Sequence, residues 1–158
     1  METLSLREVT PDNFDEVVKL SDTLSDYQKS CVARNLASLA QAYVNKDRAW
    51  PRAIYLDEKP IGFIMLALYD EDIPEADQPG YYLWRFMMAA EHQKKGYGRQ
   101  VLDQVVKKAK GNGIKTFYTS CGMEGKQPYD FYTKYGFLDT GLNDGEQILR
   151  MDLSIQEN

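Results

Sequence analysis

Apolar and polar residues alternate through Leu4-Ser5-Leu6-Arg7-Glu8-Val9, the period of a half-buried strand. Thr10-Pro11-Asp12-Asn13 follows with the features of a helix start: Thr10 as hydroxyl cap, Pro11 at the first helical position and acids nearby. Phe14, Val17 and Val18 then recur at helical spacing, and so do Val32, Leu36, Leu39, Ala40 and Tyr43, which predict a second helix with those residues inward. Ala53–Leu56 and Ile61–Leu68 read as strands around a turn at Asp57-Glu58-Lys59-Pro60, hence an antiparallel hairpin. The acidic stretch from Asp70 to Asp77, punctuated by Pro74 and Pro79-Gly80, predicts a loop.

Tyr81–Met88 is a dense aromatic and apolar run, too short and too β-prone for a helix, so it predicts a buried central strand. A glycine-containing turn leads into a helix over Gly98–Lys110, with Val101, Leu102, Val105, Val106 and Ala109 on the sheet-facing side. Gly111 and Gly113 close it. Ile114–Ser120 reads as the next strand, making a parallel βαβ unit. A short helix at Pro128–Tyr135 and strands at Phe137–Thr140 and Gln147–Leu153 complete a mixed α/β chain. No linker or repeat divides it, so residues 1–158 are expected to form one domain.

Composition narrows the function classes. With 43% apolar and 27% charged residues, the chain has the ordinary balance of a globular protein. No run approaches the roughly 20 apolar residues that span a bilayer. The opening METLSLREVT lacks the basic-then-apolar order of a signal peptide, so a cytoplasmic location is expected. Cys31 and Cys121 have no metal-type spacing and read as free thiols; no metal site is expected. A net charge of −5 argues against nucleic acid, which demands clustered Lys and Arg.

The segment that carries chemistry is Gln93-Lys94-Lys95-Gly96-Tyr97-Gly98-Arg99, between a predicted buried strand and an amphipathic helix. Gly96 and Gly98 permit a tight turn without a Cβ in the way of a phosphate. The helix behind them offers free N–H groups and its positive dipole end. Lys94, Lys95 and Arg99 add positive charge to an otherwise acidic chain. A lone G-x-G also fits a plain tight turn; the strand before, the helix after and the basic flanks favour the cradle. Neither the mononucleotide P-loop pattern nor the dinucleotide fingerprint is present.

Gln93-x-x-Gly96-x-Gly98 resembles the [Q/R]-x-x-G-x-[G/A] signature of the GCN5-related N-acetyltransferases, in the register that family places after its fourth strand. The resemblance extends to Gly62-Phe63, to Phe86-Met87-Met88, and to Asp130–Phe137, which is similar to the family's x-x-x-Y-x-x-x-G-F element. Leu83–Met88 and the turn Asp144-Gly145-Glu146 look most like bacterial diamine and polyamine (spermine and spermidine) acetyltransferases. The resemblance implies a twisted, mixed but mostly antiparallel sheet of six to seven strands flanked by about four helices. It implies direct transfer of acetyl from acetyl-CoA to a primary amine of a small cationic acceptor.

On this reading the backbone of Phe86, Met87 and Met88 pairs with the pantetheine arm, and Gln93 to Arg99, Tyr97 included, bind the pyrophosphate. Tyr132 is the general acid for the departing thiolate, and Trp84 and Tyr82 contact the acceptor. A homodimer is expected from strand edges left near the C-terminus. The chain departs from the family at Gly125, where an Asn often stands, and at Trp84, where polyamine enzymes can carry a carboxylate. Those departures keep open another amine acceptor (an antibiotic, a peptide N-terminus or a lysine) and a non-catalytic acyl-CoA sensor. His92 reads as a solvated loop histidine in preference to a base, Cys121 as a thiol at a strand end without a histidine partner, and the acids at 70–77 as solvated or as steering a cation.

Overall fold

The computed structural model describes residues 2–154. Seven strands form one sheet: β1 (Leu4–Arg7), β2 (Ala49–Leu56), β3 (Lys59–Ala67), β4 (Gly80–Met88), β5 (Thr116–Cys121), β6 (Leu138–Asn143) and β7 (Gln147–Asp152). The helices are α1 (Phe14–Lys19), α2 (Asp26–Cys31), α3 (Asn35–Val44), α4 (Tyr97–Gly111) and α5 (Gln127–Tyr135). Strand order is β1-β2-β3-β4-β5-β7-β6. Only Asp57 and Glu58 separate β2 from β3, and a two-residue link joins antiparallel neighbours. β4 and β5 run parallel, with Gly80–Leu83 opposite Thr116–Thr119, and α4 supplies the crossover between them. β7 is antiparallel to both β5 and β6. This is the mixed α/β architecture that the resemblance implies.

The chain divides into two compact units. One holds the described residues up to Leu66 together with Arg85–Gln104; the other holds Ala67–Trp84 and the described residues from Val105 on. In the first unit, β1 lies against β2 from Leu4 opposite Leu56 to Arg7 opposite Ala53. Its core is Val17, Ala53, Ile54, Ile61, Phe63, Ile64, Met65 and Leu66 with Val101 and Leu102. β3 is buried from Pro60 to Ala67, which is why its sequence shows a continuous apolar run rather than alternation. In the second unit, Phe117, Phe137 and Leu149 are fully covered, and the rings of Phe117 and Phe137 lie 5.3 Å apart.

Two expectations about local structure are corrected. Thr10 and Pro11 do not begin α1; they form a turn in which Thr10 O accepts from the N–H groups of Asn13 and Phe14, and the helix starts at Phe14. Asn13 spends its side chain on this turn, accepting from Thr10 N–H and donating to Glu8 O and Tyr55 Oη. The predicted second helix begins only at Asn35, as α3, with Val32 in extended conformation after an α2 that the spacing did not predict, and α3 buries Asn35, Ser38 and Ala42 instead of the apolar stripe. Leu36 and Tyr43 stand 54% and 68% exposed. The face turned inward is set by hydrogen bonds: Asn35 N–H donates to Ser21 Oγ and Asn35 Nδ2 to Val17 O, each at 2.8 Å. Those bonds give partners to the buried N–H and Nδ2 of Asn35.

Candidate active site

The first unit carries the basic glycine turn. β4 ends at Met88, a single 3₁₀ turn spans Ala90–His92, and α4 begins at Tyr97. Between them Lys94 (φ 60°) and Gly96 (φ 85°) occupy the left-handed region. That conformation costs a lysine about 1 kcal/mol, and such strain gathers at functional turns. Left-handed residues in sequence with ordinary ones shape concavities of N–H groups that suit anions. The N–H groups of Tyr97, Gly98 and Arg99 lie in the first turn of a 15-residue helix, where no intrahelical acceptor exists for them. Lys94, Lys95 and Arg99 are exposed around this start.

The side chains named with that turn divide by task. Tyr97 is buried, and its hydroxyl donates to Glu2 Oε2 at 2.9 Å, which holds its phenol above the ordinary value; its ring is structural and only its N–H serves the turn. Gln93 is also turned inward: its Nε2 donates to Met88 O at 2.9 Å and so ties the turn to the end of β4. Met87 and Met88 are buried and Phe86 is half-buried. His92 is not solvated as its loop position implies. Its side chain is only 14% exposed, with Nε2 3.5 Å from Glu91 Oε1 and its ring 6.4 Å from that of Tyr97.

Gly62 on β3 explains why this part of the sheet needs a glycine. A Cβ there would stand 2.5 Å from Met87 O and 2.8 Å from Met88 Sδ. β3 and the end of β4 therefore approach each other more closely than any side chain permits.

The second unit carries Tyr132, on α5. Lys126 in the left-handed conformation precedes the helix and Pro128 opens it. Gly136 at φ 133° stops it, with Gly136 N–H and Phe137 N–H both donating to Tyr132 O. Tyr132 is 9% exposed, with its ring edge-on to Phe137 at 5.5 Å and to Phe131 at 5.4 Å. Its hydroxyl meets Thr119 of β5 and lies near Cys121; burial, with Cys121 adding to it, pushes the phenol well above the ordinary tyrosine value. A phenol so placed keeps its proton at neutral pH, which a general acid requires. Thr119 also donates to Leu83 O at 3.3 Å. The sequence held no signal for Thr119, which sits inside an ordinary β-prone run.

Tyr82 and Trp84 are half-buried and two residues apart on β4, so they share a sheet face. Tyr82 stacks on Tyr118 with ring centres 6.2 Å apart. Burial raises its phenol, and the nearby carboxylates of Asp70, Glu146 and Asp72 raise it further. Tyr81, by contrast, is core, and its hydroxyl accepts from Asn112 Nδ2.

Asp77 separates itself from the other loop acids. Arg150 grips it with two bonds, Nη2 to Oδ1 at 2.9 Å and Nε to Oδ2 at 3.1 Å, and the Tyr118 hydroxyl donates to Oδ2. These bonds, Arg150 first, hold the Asp77 carboxyl below its ordinary value, while burial and Asp77 together push Tyr118 up to about 12. Asp77 is therefore a fastening between the acidic loop and the sheet. A carboxylate whose pKa is depressed by folding stabilises the fold above its unfolded value of about 4 and loses that contribution as pH falls through the folded value. Urea unfolding should thus show stability falling below about pH 4. Asp77→Asn should cost about 2 kcal/mol at pH 7 and flatten that fall; an unchanged pH profile in the variant would refute the assignment.

Neither cysteine forms a disulfide; Cys31 is exposed and Cys121 buried. Among the described residues no cluster of His, Cys, Asp and Glu could hold a metal ion, and no helix is long and apolar enough to cross a membrane.

A mixed sheet whose parallel pair is bridged by a helix starting at a basic glycine turn is an arrangement suited to a phosphate-bearing ligand. The chain belongs to the acetyltransferase (GNAT) family, whose model matches residues 16–137. It is accordingly an acyl-CoA-dependent N-acetyltransferase, with acetyl-CoA as cosubstrate. Among solved structures it is similar to the PaiA N-acetyltransferase from Thermoplasma acidophilum in complex with coenzyme A, at 18% identity and a TM-score of 0.69, over 95% of this chain and 99% of that one. A GNAT family acetyltransferase from Elizabethkingia anophelis with acetyl-CoA bound is 18% identical, with a TM-score of 0.64, over 96% and 97%. An aminoglycoside acetyltransferase in complex with coenzyme A and kanamycin is 17% identical, with a TM-score of 0.74, over 95% of each chain. At these identities the likeness is one of fold. No curated protein matches the chain in sequence.

Proposed function

We propose that this enzyme acetylates a primary amine of a small, multiply charged acceptor of the diamine or polyamine class, such as spermidine or spermine. The observation that carries the acceptor class is the setting of Tyr82, a half-buried aromatic ring on β4 that stacks on Tyr118, its phenol raised by burial and by the charges of Asp70, Glu146 and Asp72. An aromatic face attracts a cation, and carboxylates at its margin add to that attraction. Trp84, on the same face, extends the aromatic wall. The aminoglycoside acetyltransferase among the similar folds favours a second reading, an antibiotic amine, which shares the need for a cationic site.

In this reading the backbone of Phe86, Met87 and Met88 holds the pantetheine arm and the thioester carbonyl. The turn from Gln93 to Arg99 takes the pyrophosphate on its N–H groups, helped by Lys94, Lys95 and Arg99. The acceptor nitrogen attacks the carbonyl carbon, an N–C bond forms, the C–S bond breaks, and Tyr132 gives a proton to the departing sulfur. The nitrogen must first shed a proton, which leaves through water to solvent. With an amine pKa near 10.4, only about one molecule in a few thousand is neutral at pH 7, a handicap of about 4–5 kcal/mol. One catalytic domain carries the reaction, in the cytoplasm. The exposed Leu138 and Leu142 on β6, one of the two edge strands, support a homodimer.

The test is an initial-rate study with spermidine and acetyl-CoA, combined with mass spectrometry of product and enzyme. Intersecting reciprocal plots, monoacetylated spermidine in step with free CoA, and an unmodified protein mass are the expected results. An acetylated enzyme intermediate, with parallel plots, would refute direct transfer.

A further inference from the structure

The signature glutamine of the cofactor turn has a partner that lies far away in sequence. Gln28 Nε2 donates to Gln93 Oε1 at 2.8 Å, and Gln93 Nε2 donates back to Gln28 Oε1 at 3.2 Å. The pair is anchored at both ends on main chain. Gln93 Nε2 also donates to Met88 O at 2.9 Å, and Gln28 Oε1 also accepts from Ser25 N–H at 3.1 Å. Ser25 closes the arrangement as the N-cap of α2, its Oγ accepting from Gln28 N–H at 3.2 Å. A carbonyl can only accept and an N–H can only donate. Met88 O therefore demands the NH₂ end of Gln93, and Ser25 N–H demands the oxygen end of Gln28. Neither amide can flip without losing a bond, so the two side chains fix each other's orientation.

We infer that Gln28 is a positioning residue for acyl-CoA binding: it latches α2 to the cofactor turn and holds Gln93 on the Met88 carbonyl. This rests on the reading that Gln93–Arg99 bind the cosubstrate. In consequence the capping box of a six-residue helix, too short to be stable alone, shares a side chain with the cofactor turn. Releasing the amide pair frees the turn from α2, and the affinity for acyl-CoA reports that release.

Two variants separate the latch from the cap. Gln28→Met keeps the length of the side chain and removes the amide, so the latch goes and the Ser25 N–H loses its acceptor. Ser25→Pro removes both cap bonds and leaves the amide pair intact. Ser25 already has φ −66° and Leu24 an extended ψ of 149°, so a proline fits there.

Coenzyme A affinity would be measured by titration calorimetry, with kcat for acetyl transfer, and hydrogen exchange of residues 89–97 followed in the free enzyme. Gln28→Met should weaken coenzyme A binding about five- to tenfold, leave kcat at saturation within about twofold, and speed exchange of the turn. Ser25→Pro should leave affinity and exchange of the turn within about twofold of wild type. Equal loss of affinity in the two variants would assign the effect to the stability of α2 and overturn the latch. Unchanged exchange of residues 89–97 in Gln28→Met would overturn it also. Faster exchange in that variant alone would uphold the latch even if wild-type protein bound no coenzyme A, a result that would sink the acyl-CoA reading instead.

Discussion

Tyr132→Phe should lower kcat for acetyl transfer by at least about a hundredfold, the usual worth of a positioned general acid, and leave the acetyl-CoA affinity within about twofold. The expectation follows from what the substitution removes. The ring packs edge-on to Phe131 and Phe137, and those contacts survive in phenylalanine. Only the hydroxyl goes, and with it the proton proposed for the leaving sulfur. The stability cost is small, about 1 kcal/mol, because Thr119 keeps its bond to Leu83 O and no strong donor is stranded. Burial raises the Tyr132 phenol, so its proton stays in place through the neutral range, and wild-type kcat should show no loss from Tyr132 ionisation below pH 9 or so. A variant with unaltered kcat would remove Tyr132 from the chemistry.

The second large effect is expected at a residue that touches no substrate. Gly62→Ala should destabilise the protein by about 3 kcal/mol and sharply weaken coenzyme A binding in whatever folded protein remains. The new Cβ would meet Met87 O at 2.5 Å, the Met88 Sδ at 2.8 Å and the Ile54 Cδ1 at 3.2 Å. The methionine and isoleucine tips can turn aside at small cost. The Met87 carbonyl cannot, because it belongs to the backbone of β4. Either β3 or the end of β4 must shift, and the end of β4 is the stretch proposed to hold the thioester. Urea unfolding and a coenzyme A titration would measure both consequences. Full stability with normal affinity would show that the sheet yields more easily than this geometry allows.

The sequence was most legible where local pattern and tertiary environment agree. Val101, Leu102, Val105, Val106 and Ala109 were placed on the buried face of α4 by their spacing alone, and the structure buries all of them but Val106, which is half-buried. The glycine turn was legible because Gly96 needs a backbone conformation that most residues resist. α3 misled for the opposite reason. Leu36 and Tyr43 have the right spacing for a core face, yet the side turned inward is chosen by Asn35, whose bonds to Val17 and Ser21 depend on residues more than a dozen positions earlier. Asp77 looked like its acidic neighbours until Arg150 and Tyr118 closed on it. The same holds for Gln28 and Thr119: each is polar, common and locally unremarkable, and each acquires a task only from a partner that the fold brings to it.

Whether acetyl-CoA is spent on a small cationic amine, as proposed, is decided by a panel of acceptors. Thiol release from acetyl-CoA would be followed with putrescine, spermidine, spermine, free lysine, kanamycin and a short peptide with a free N-terminus, each over a range of concentrations. The expected result is a kcat/KM for spermidine or spermine at least about tenfold above that for lysine and the peptide, a margin of roughly 1.4 kcal/mol in transition-state binding. Turnover confined to kanamycin would transfer the same site to the antibiotic reading. Preference for lysine or the peptide over every polycation would contradict the claim.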